Sequence, residues 1–231
     1  MQTEPISANV LDSEEEVARR LQKYGFLAMP IVDNENRLVG ILTYDDAMHV
    51  LSENDSEDME IMAAITPTDT TYLRTPVFAL WKARIPWLLI LMLSSTFTSR
   101  ILQSFEDALV SCAALTAFIP MLMGTGGNAG AQVSVTIIRG LSLGEIRMRD
   151  VFRILWKEWR VSLLCGLTLS VVNFGKMLLI DRVTIPVAVT VSLTVLAVVV
   201  IAKLVGGLMP VLAKRLGFDP AVMANPFITT I

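Results

Sequence analysis

The sequence holds a single histidine, His49, and two cysteines, Cys112 and Cys165. One imidazole makes a zinc centre of the usual His/Cys kind unexpected. No Ser-His-Asp set or pair of carboxylates spaced for acid–base work can be picked out, so an enzyme is not expected. Both cysteines sit inside apolar runs and read as small buried hydrophobes rather than as a disulfide or a metal pair. Charge is scarce too: 18% of the residues are Asp, Glu, Lys or Arg, against about 25% in a soluble domain. The first 25 residues carry acids and lack an apolar run, which argues against a signal peptide.

Apolar residues are what the chain has in excess, at 53% with a mean hydropathy of +0.59. They are unevenly spread. Residues 1–60 hold 14 acids and 4 Lys/Arg, a balance of −10, whereas residues 61–231 hold 8 acids and 15 bases, a balance of +7. The net charge of −3 therefore hides an acidic, water-facing part and an apolar part with basic edges.

In the acidic part, Ser13 and Glu16 have the spacing of a capping box, Val17, Ala18 and Leu21 form one helical face, and Gly25 suits the helix end. Residues 26–32 and 38–43 read as strands joined by a turn over residues 33–36. Thr43 and Asp46 cap a second helix running to about Leu51. An α/β unit under 50 residues long is too small to bury a core alone, and a second copy is its expected partner. The acidic run Glu53, Asp55, Glu57, Asp58 and Glu60 fits either a solvated linker or a low-affinity cation sensor. Crowded carboxylates repel one another, and a hard divalent ion relieves that repulsion.

The second part has apolar stretches at about residues 85–103, 108–138, 161–180 and 183–213, each near the roughly 20 residues that cross a bilayer. They predict four spans, with the start of a fifth helix after Asp219-Pro220. Arg74, Lys82 and Arg84, then six bases between Arg139 and Arg160, then Lys214 and Arg215 all fall on one side. That side is expected to be cytosolic, with the N-terminus on it. Lys203 lies within the fourth stretch and should face away from a cation path or towards a carboxylate; Arg100 can snorkel outwards.

Inside the second stretch runs Pro120-Met121-Leu122-Met123-Gly124-Thr125-Gly126-Gly127-Asn128-Ala129-Gly130-Ala131-Gln132. Gly126 and Gly130 have the spacing of close helix packing. The same segment, with four glycines before the final Ala-Gln, suits a loosened helix whose carbonyls line a wet cavity. On the residues alone both readings stand. Having no preceding strand and no Walker lysine, it is not a nucleotide loop.

Two resemblances add to this. Residues 24–33 with Gly40-Ile41-Leu42-Thr43-Tyr44-Asp45-Asp46 resemble a CBS motif, the second of a tandem pair. Residues 120–132 resemble the P-x-L-x-G-T-G-G-N-x-G-x-Q signature of the MgtE family of magnesium channels. Ile137-Ile138-Arg139-Gly140, Leu80-Trp81-Lys82-Ala83-Arg84 and Leu216-Gly217-Phe218-Asp219-Pro220-Ala221 continue the likeness. It implies a mainly α protein: a polytopic α-helical membrane domain behind a small N-terminal α/β CBS unit. The domains expected are a CBS motif over 1–53, an acidic linker and connecting helix over 54–84, and a transmembrane domain over 85–231.

The resemblance further implies a homodimer in the cell membrane, multi-pass and bathed in membrane lipid, whose central pore conducts Mg2+. Mg2+ is also the implied regulatory ligand, bound by Asp46, Glu57 and Asp58 as sensor acids. Gly126, Gly127, Asn128, Asn225 and Thr229 are the implied pore-lining residues, and residues 72–82 the helix that plugs the pore. Adenine nucleotide is a further candidate ligand of the CBS unit; no nucleic acid is expected. The family's pore carboxylate would lie past Ile231, and its upstream domain and first CBS motif before Met1, so the last helix reads as truncated. His49 and Asn54 stand where the family often has acids. Two other readings stay open: a non-conducting fragment of such a channel, and a membrane-anchored nucleotide-binding CBS regulator.

Overall fold

The computed structural model describes residues 6–68 and 71–223, which fall into two compact units divided after Glu60. In the first, strand β1 (Ala8–Asn9) precedes helix α1 (Glu14–Tyr24). Val17, Ala18 and Leu21 are its buried face, as the spacing predicts. Gly25 ends it at φ 64°, with its N–H on the Gln22 carbonyl and the Phe26 N–H on that of Leu21, the paired bonds of a Schellman close. The expected capping box is not made. The Ser13 side chain makes no cap bond, and Glu16 instead pairs with Arg20 at 2.7 Å, one turn along.

Strands β2 (Ala28–Val32) and β3 (Leu38–Thr43) form an antiparallel hairpin, closed where the Asp33 carboxylate accepts the N–H groups of Glu35 and Arg37. β1 pairs with β2 in parallel, giving the sheet order β1-β2-β3. The core is small: Ala8, Val17, Ala18, Leu21, Met29, Ala47 and Leu51. Leu38, Val39 and Ile41 of β3 remain exposed, in keeping with a unit that cannot bury all its apolar surface by itself.

Helix α2 (Tyr44–Met62) starts at a Thr43–Asp46 side-chain bond and runs eleven residues beyond the end expected at Leu51. The acidic run is therefore helical. It has no Pro or Gly to stop it, and Glu and Met favour helix enough to carry the turns through. His49 sits on the surface and pairs with Glu53 one turn away at 3.3 Å.

The second unit begins with α3 (Val77–Ser104), in which the expected connecting helix and first span are one continuous rod; residues 72–75 form a turn and bend before it. Pro86 sits ten residues in without breaking it. The hydroxyls of Ser95 and Thr96 bond back to the Met92 carbonyl, that of Ser99 to Ser95, and that of Ser104 to Ile101. Almost all of α3 is exposed in the single chain: Leu88, Leu89, Ile90, Leu93 and Phe97 point outwards.

The stretch expected as one span over 108–138 is divided into α4 (Glu106–Ser111), α5 (Ala113–Thr116) and α6 (Ile119–Ser142). Cys112, with extended backbone at φ −141° and ψ 74°, interrupts the helix, and Pro120 sits in the first turn of α6, where proline is tolerated. A turn of 3-10 helix (Met148–Asp150) leads into α7 (Val151–Leu179), and α8 (Ile185–Arg215) follows. Among the described residues three helices are long and apolar enough to cross a membrane: α3, the 148–179 segment containing α7, and α8. The expectation of four spans counted α6 as well. At 24 residues it is long enough, but its glycines, Thr125, Asn128 and Gln132 reduce its hydropathy.

α8 is the centre of this unit and packs along both α6 and α7. Between α7 and α8 the glue is partly polar: the Ser170 hydroxyl donates to the Ser192 carbonyl at 2.7 Å, and buried Asn173 reaches the Ser192 hydroxyl at 3.4 Å. Cys112 and Cys165 are free thiols and half-buried.

Candidate functional site

The glycine-rich segment is an unbroken α-helix, so the expected loosening of its backbone does not occur among the described residues. The reason lies in its packing against α8. Gly126 is buried, and a Cβ placed there would come within 2.7 Å of Val198 Cγ1. A Cβ on Gly206 would strike the Gly130 carbonyl oxygen and lie 3.0 Å from the Gly130 Cα. Backbone meets backbone where α6 crosses α8, and no residue larger than glycine fits. One reading of the motif, close packing, is thus realised on the face carrying Gly126, Ala129, Gly130 and Val133.

The opposite face does something else. Gly124 has open space around it, and Asn128 and Gln132 are exposed. Because 124, 128 and 132 are spaced by four, they share one side of α6. Thr125, Asn128 and Gln132 line a cavity of about 510 Å³ together with Cys165 and Thr168 of α7 and Lys203 of α8. The hydroxyls are spoken for: Thr125 donates to the Met121 carbonyl and Thr168 to the Leu164 carbonyl, both within their own helices. The two carboxamides are the groups left to meet an occupant.

Lys203 is the other polar group on this wall. It is only 6% exposed, and among the described residues no carboxylate pairs with it and no acceptor takes its hydrogens. Lys203 thus shares a cavity wall with Asn128, and whether that wall belongs to a cation path decides the expectation made for it. An ammonium so placed opposes the entry of a free cation and favours one that keeps its waters or approaches along the amides. Sequence reasoning left Lys203, Gln132 and Thr168 unassociated. They lie 35 to 71 positions apart, and only the packing of α6, α7 and α8 brings them together.

The remaining expected site residues fall as follows. Gly127 is half-buried on α6 beside the packed face. Asn225 and Thr229 lie outside the described residues. Asp46 and Glu57 are both exposed on α2, eleven residues apart, and a rise of 1.5 Å per residue separates them by roughly 16 Å. Asp58 is half-buried and engaged by a neighbour. Among the described residues no group of three or more His, Cys, Asp or Glu is assembled to hold a metal ion. The sensor acids therefore do not make a shared site within this chain's first unit.

Comparison with known proteins matches these two units separately. Residues 119–231 fit the family model MgtE, described as a divalent cation transporter, and residues 1–53 fit the CBS domain. The chain is 43% identical, over 94% of its length, to the magnesium transporter MgtE of Thermus thermophilus, covering 48% of that protein. It is 35% identical over its whole length to the protein of that name from Bacillus subtilis, and 31% identical over 98% to that of Enterococcus faecalis, covering 51% and 49% of them. The chain spans about half the length of the curated relatives it matches. With a CBS unit followed by helices long and apolar enough to cross a membrane, and with this likeness running through both, the chain is similar to the MgtE family along nearly its whole length.

Proposed function

We propose that this chain is part of a channel that carries Mg2+ across the cell membrane, and that it performs no enzyme chemistry. The observation that carries the reading is its 43% identity, over 94% of its length, to a protein named a magnesium transporter. The physics of the cavity supports it. Mg2+ dehydrates reluctantly and is best passed by oxygen dipoles and waters rather than by a tight cage. The Asn128 and Gln132 carboxamides face a space large enough for a hydrated ion. In this reading α6 divides its labour. Gly126 and Gly130 bring α8 close, and that contact fixes the helix that presents Asn128; Gly127, Asn225 and Thr229 complete the lining.

The proposal includes a homodimer and a cytosolic N-terminus, the latter from the bases that collect at one end of the helices. It also includes closure by cytosolic Mg2+ held at Asp46, Glu57 and Asp58. Since Asp46 and Glu57 stand three turns apart, each would share its ion with acids from another part of the assembly. Adenine nucleotide is the proposed second ligand of the CBS unit.

The test is Mg2+ flux into liposomes carrying the protein and an internal Mg2+-sensitive dye. Flux above that of empty liposomes, reduced at least tenfold by Asn128→Leu, is the expected result. A flux indistinguishable from empty liposomes, or one untouched by Asn128→Leu, refutes the reading.

A further inference from the structure

Beyond cation transport, we propose that the basic end of the α7–α8 pair holds an anionic phospholipid. Its headgroup phosphate would lie against Arg149, Lys214 and Arg215, and its acyl chains in the apolar groove that continues from them.

Two adjoining hollows carry this. The first, of about 710 Å³, has Arg149, Lys214 and Arg215 on its wall and Met148 and Val211 among its apolar residues. Among the described residues no acid lines it. The second, of about 550 Å³, is lined by Leu155, Trp156, Trp159, Leu204 and Val205 and contains no charged side chain. Phe152 and Leu208 belong to both, so the two hollows adjoin at these side chains. A cationic pocket opening into an apolar trough has the shape and polarity of a phospholipid.

The charges are available. Among the described residues Arg149 and Arg215 make no ion pair or hydrogen bond, and Lys214 gives one hydrogen to a neutral acceptor, the Leu141 carbonyl at 3.3 Å. None of the acids nearest in sequence, Glu145, Asp150 and Asp219, pairs with these three bases. Asp150 pairs with Arg153 at 3.4 Å and accepts the Arg147 N–H, and Asp219 accepts the Ala221 N–H. Three cations therefore face the hollow uncompensated.

Depth agrees with the same occupant. Trp156 and Trp159 stack with centroids 5.2 Å apart, and the Arg160 guanidinium lies 5.8 Å from the Trp156 ring, the arrangement of residues at the membrane–water boundary. Phe152 is 85% exposed, an apolar surface that calls for an apolar neighbour. From Leu204 to Lys214 the helix rises roughly 15 Å, enough to run from the upper acyl chains to a phosphate. A zwitterionic lipid would bring its own ammonium against these three bases; an anionic one would not. Basic pockets between helices at such a surface are suited to acidic headgroups.

The experiment uses the full chain with Trp81→Phe and Trp87→Phe, which leaves Trp156 and Trp159 as the fluorophores. It is reconstituted in phosphatidylcholine bilayers containing either brominated-tail phosphatidylglycerol or brominated-tail phosphatidylcholine at equal mole fraction. The expected result is a quenching midpoint at roughly tenfold lower mole fraction for the phosphatidylglycerol, saturating at a fixed lipid-to-chain ratio. The preference should vanish in the R149Q/K214Q/R215Q variant and persist in R149K/R215K, which keeps the charge and reports on folding. Equal quenching by the two lipids in the parent, or quenching that never saturates, overturns the proposal. So does loss of the preference on adding inorganic phosphate at millimolar concentration, because the site would then take a free anion.

Discussion

Replacing Gly206 with alanine tests the contact on which the membrane unit is built. The added Cβ would meet the Gly130 carbonyl oxygen, with the Gly130 carbonyl carbon and Cα both at 3.0 Å. All three are backbone atoms of a helix, so no rotamer change relieves the clash and α6 and α8 must separate. Overpacking of this kind costs about 1–3 kcal/mol, and the alanine's better helix propensity returns only about 1 kcal/mol. Gly175, in α7 with nothing within 4 Å of its would-be Cβ, serves as the internal control. There the same substitution supplies the propensity gain alone. The two variants should thus differ by the overpacking cost itself, about 1–3 kcal/mol, which for a chain of this size is roughly 2–12 °C in melting temperature. Thermal unfolding in one detergent, followed by circular dichroism, provides the comparison. If the Gly206 variant melts with or above the Gly175 variant, the backbone contact is not what joins α6 to α8.

Three other outcomes are expected. Lys203→Met removes the ammonium from the cavity wall. A sphere of the cavity's volume has a radius of roughly 5 Å, at which repulsion of a divalent ion reaches roughly 7 kcal/mol as an upper bound for an effective dielectric of 20. Mn2+ bound near Asn128, read by electron paramagnetic resonance with a spin label on the cavity rim, should tighten at least tenfold, and unchanged affinity would contradict the placement. Gly25→Ala forces a side chain into φ 64° and should cost the first unit about 1 kcal/mol, seen as faster proteolysis of residues 1–60 within the intact chain. Gly40→Ala, in open space, should leave that rate alone. Asn173→Ala deletes a buried amide held by Ser192 and should lower stability by about 1 kcal/mol, with no change if that bond is idle.

Much of the fold could be read from the residues because the signals were local. Gly25 after an apolar helical face, the turn of residues 33–36 between two apolar runs, and Thr43 with Asp46 each act within four positions. Strand β1 escaped notice because two residues carry no periodicity; only its pairing with Ile31 and Val32 makes Ala8 and Asn9 a strand. The acidic end of α2 was ambiguous for a different reason. Charge density suggests solvation but says nothing against helix, and the backbone simply continued. In the membrane unit the small residues of α6 pointed to two functions at once. Gly126 and Gly130 take the tight-packing role, and Asn128 is left facing the cavity. The meeting of Asn128 with Lys203 could not have been foreseen, since it depends on which way α8 turns.

The serine- and threonine-rich middle of α3 has a consequence for how that helix can sit in a bilayer. Each of the four hydroxyls at 95, 96, 99 and 104 is satisfied by a carbonyl in its own preceding turn. None of them then needs water or a neighbouring helix when immersed in hydrocarbon, where an unmet polar group is costly. The turns that carry these four groups can therefore lie against lipid without leaving a donor unmet, and what orients them there is shape rather than polarity.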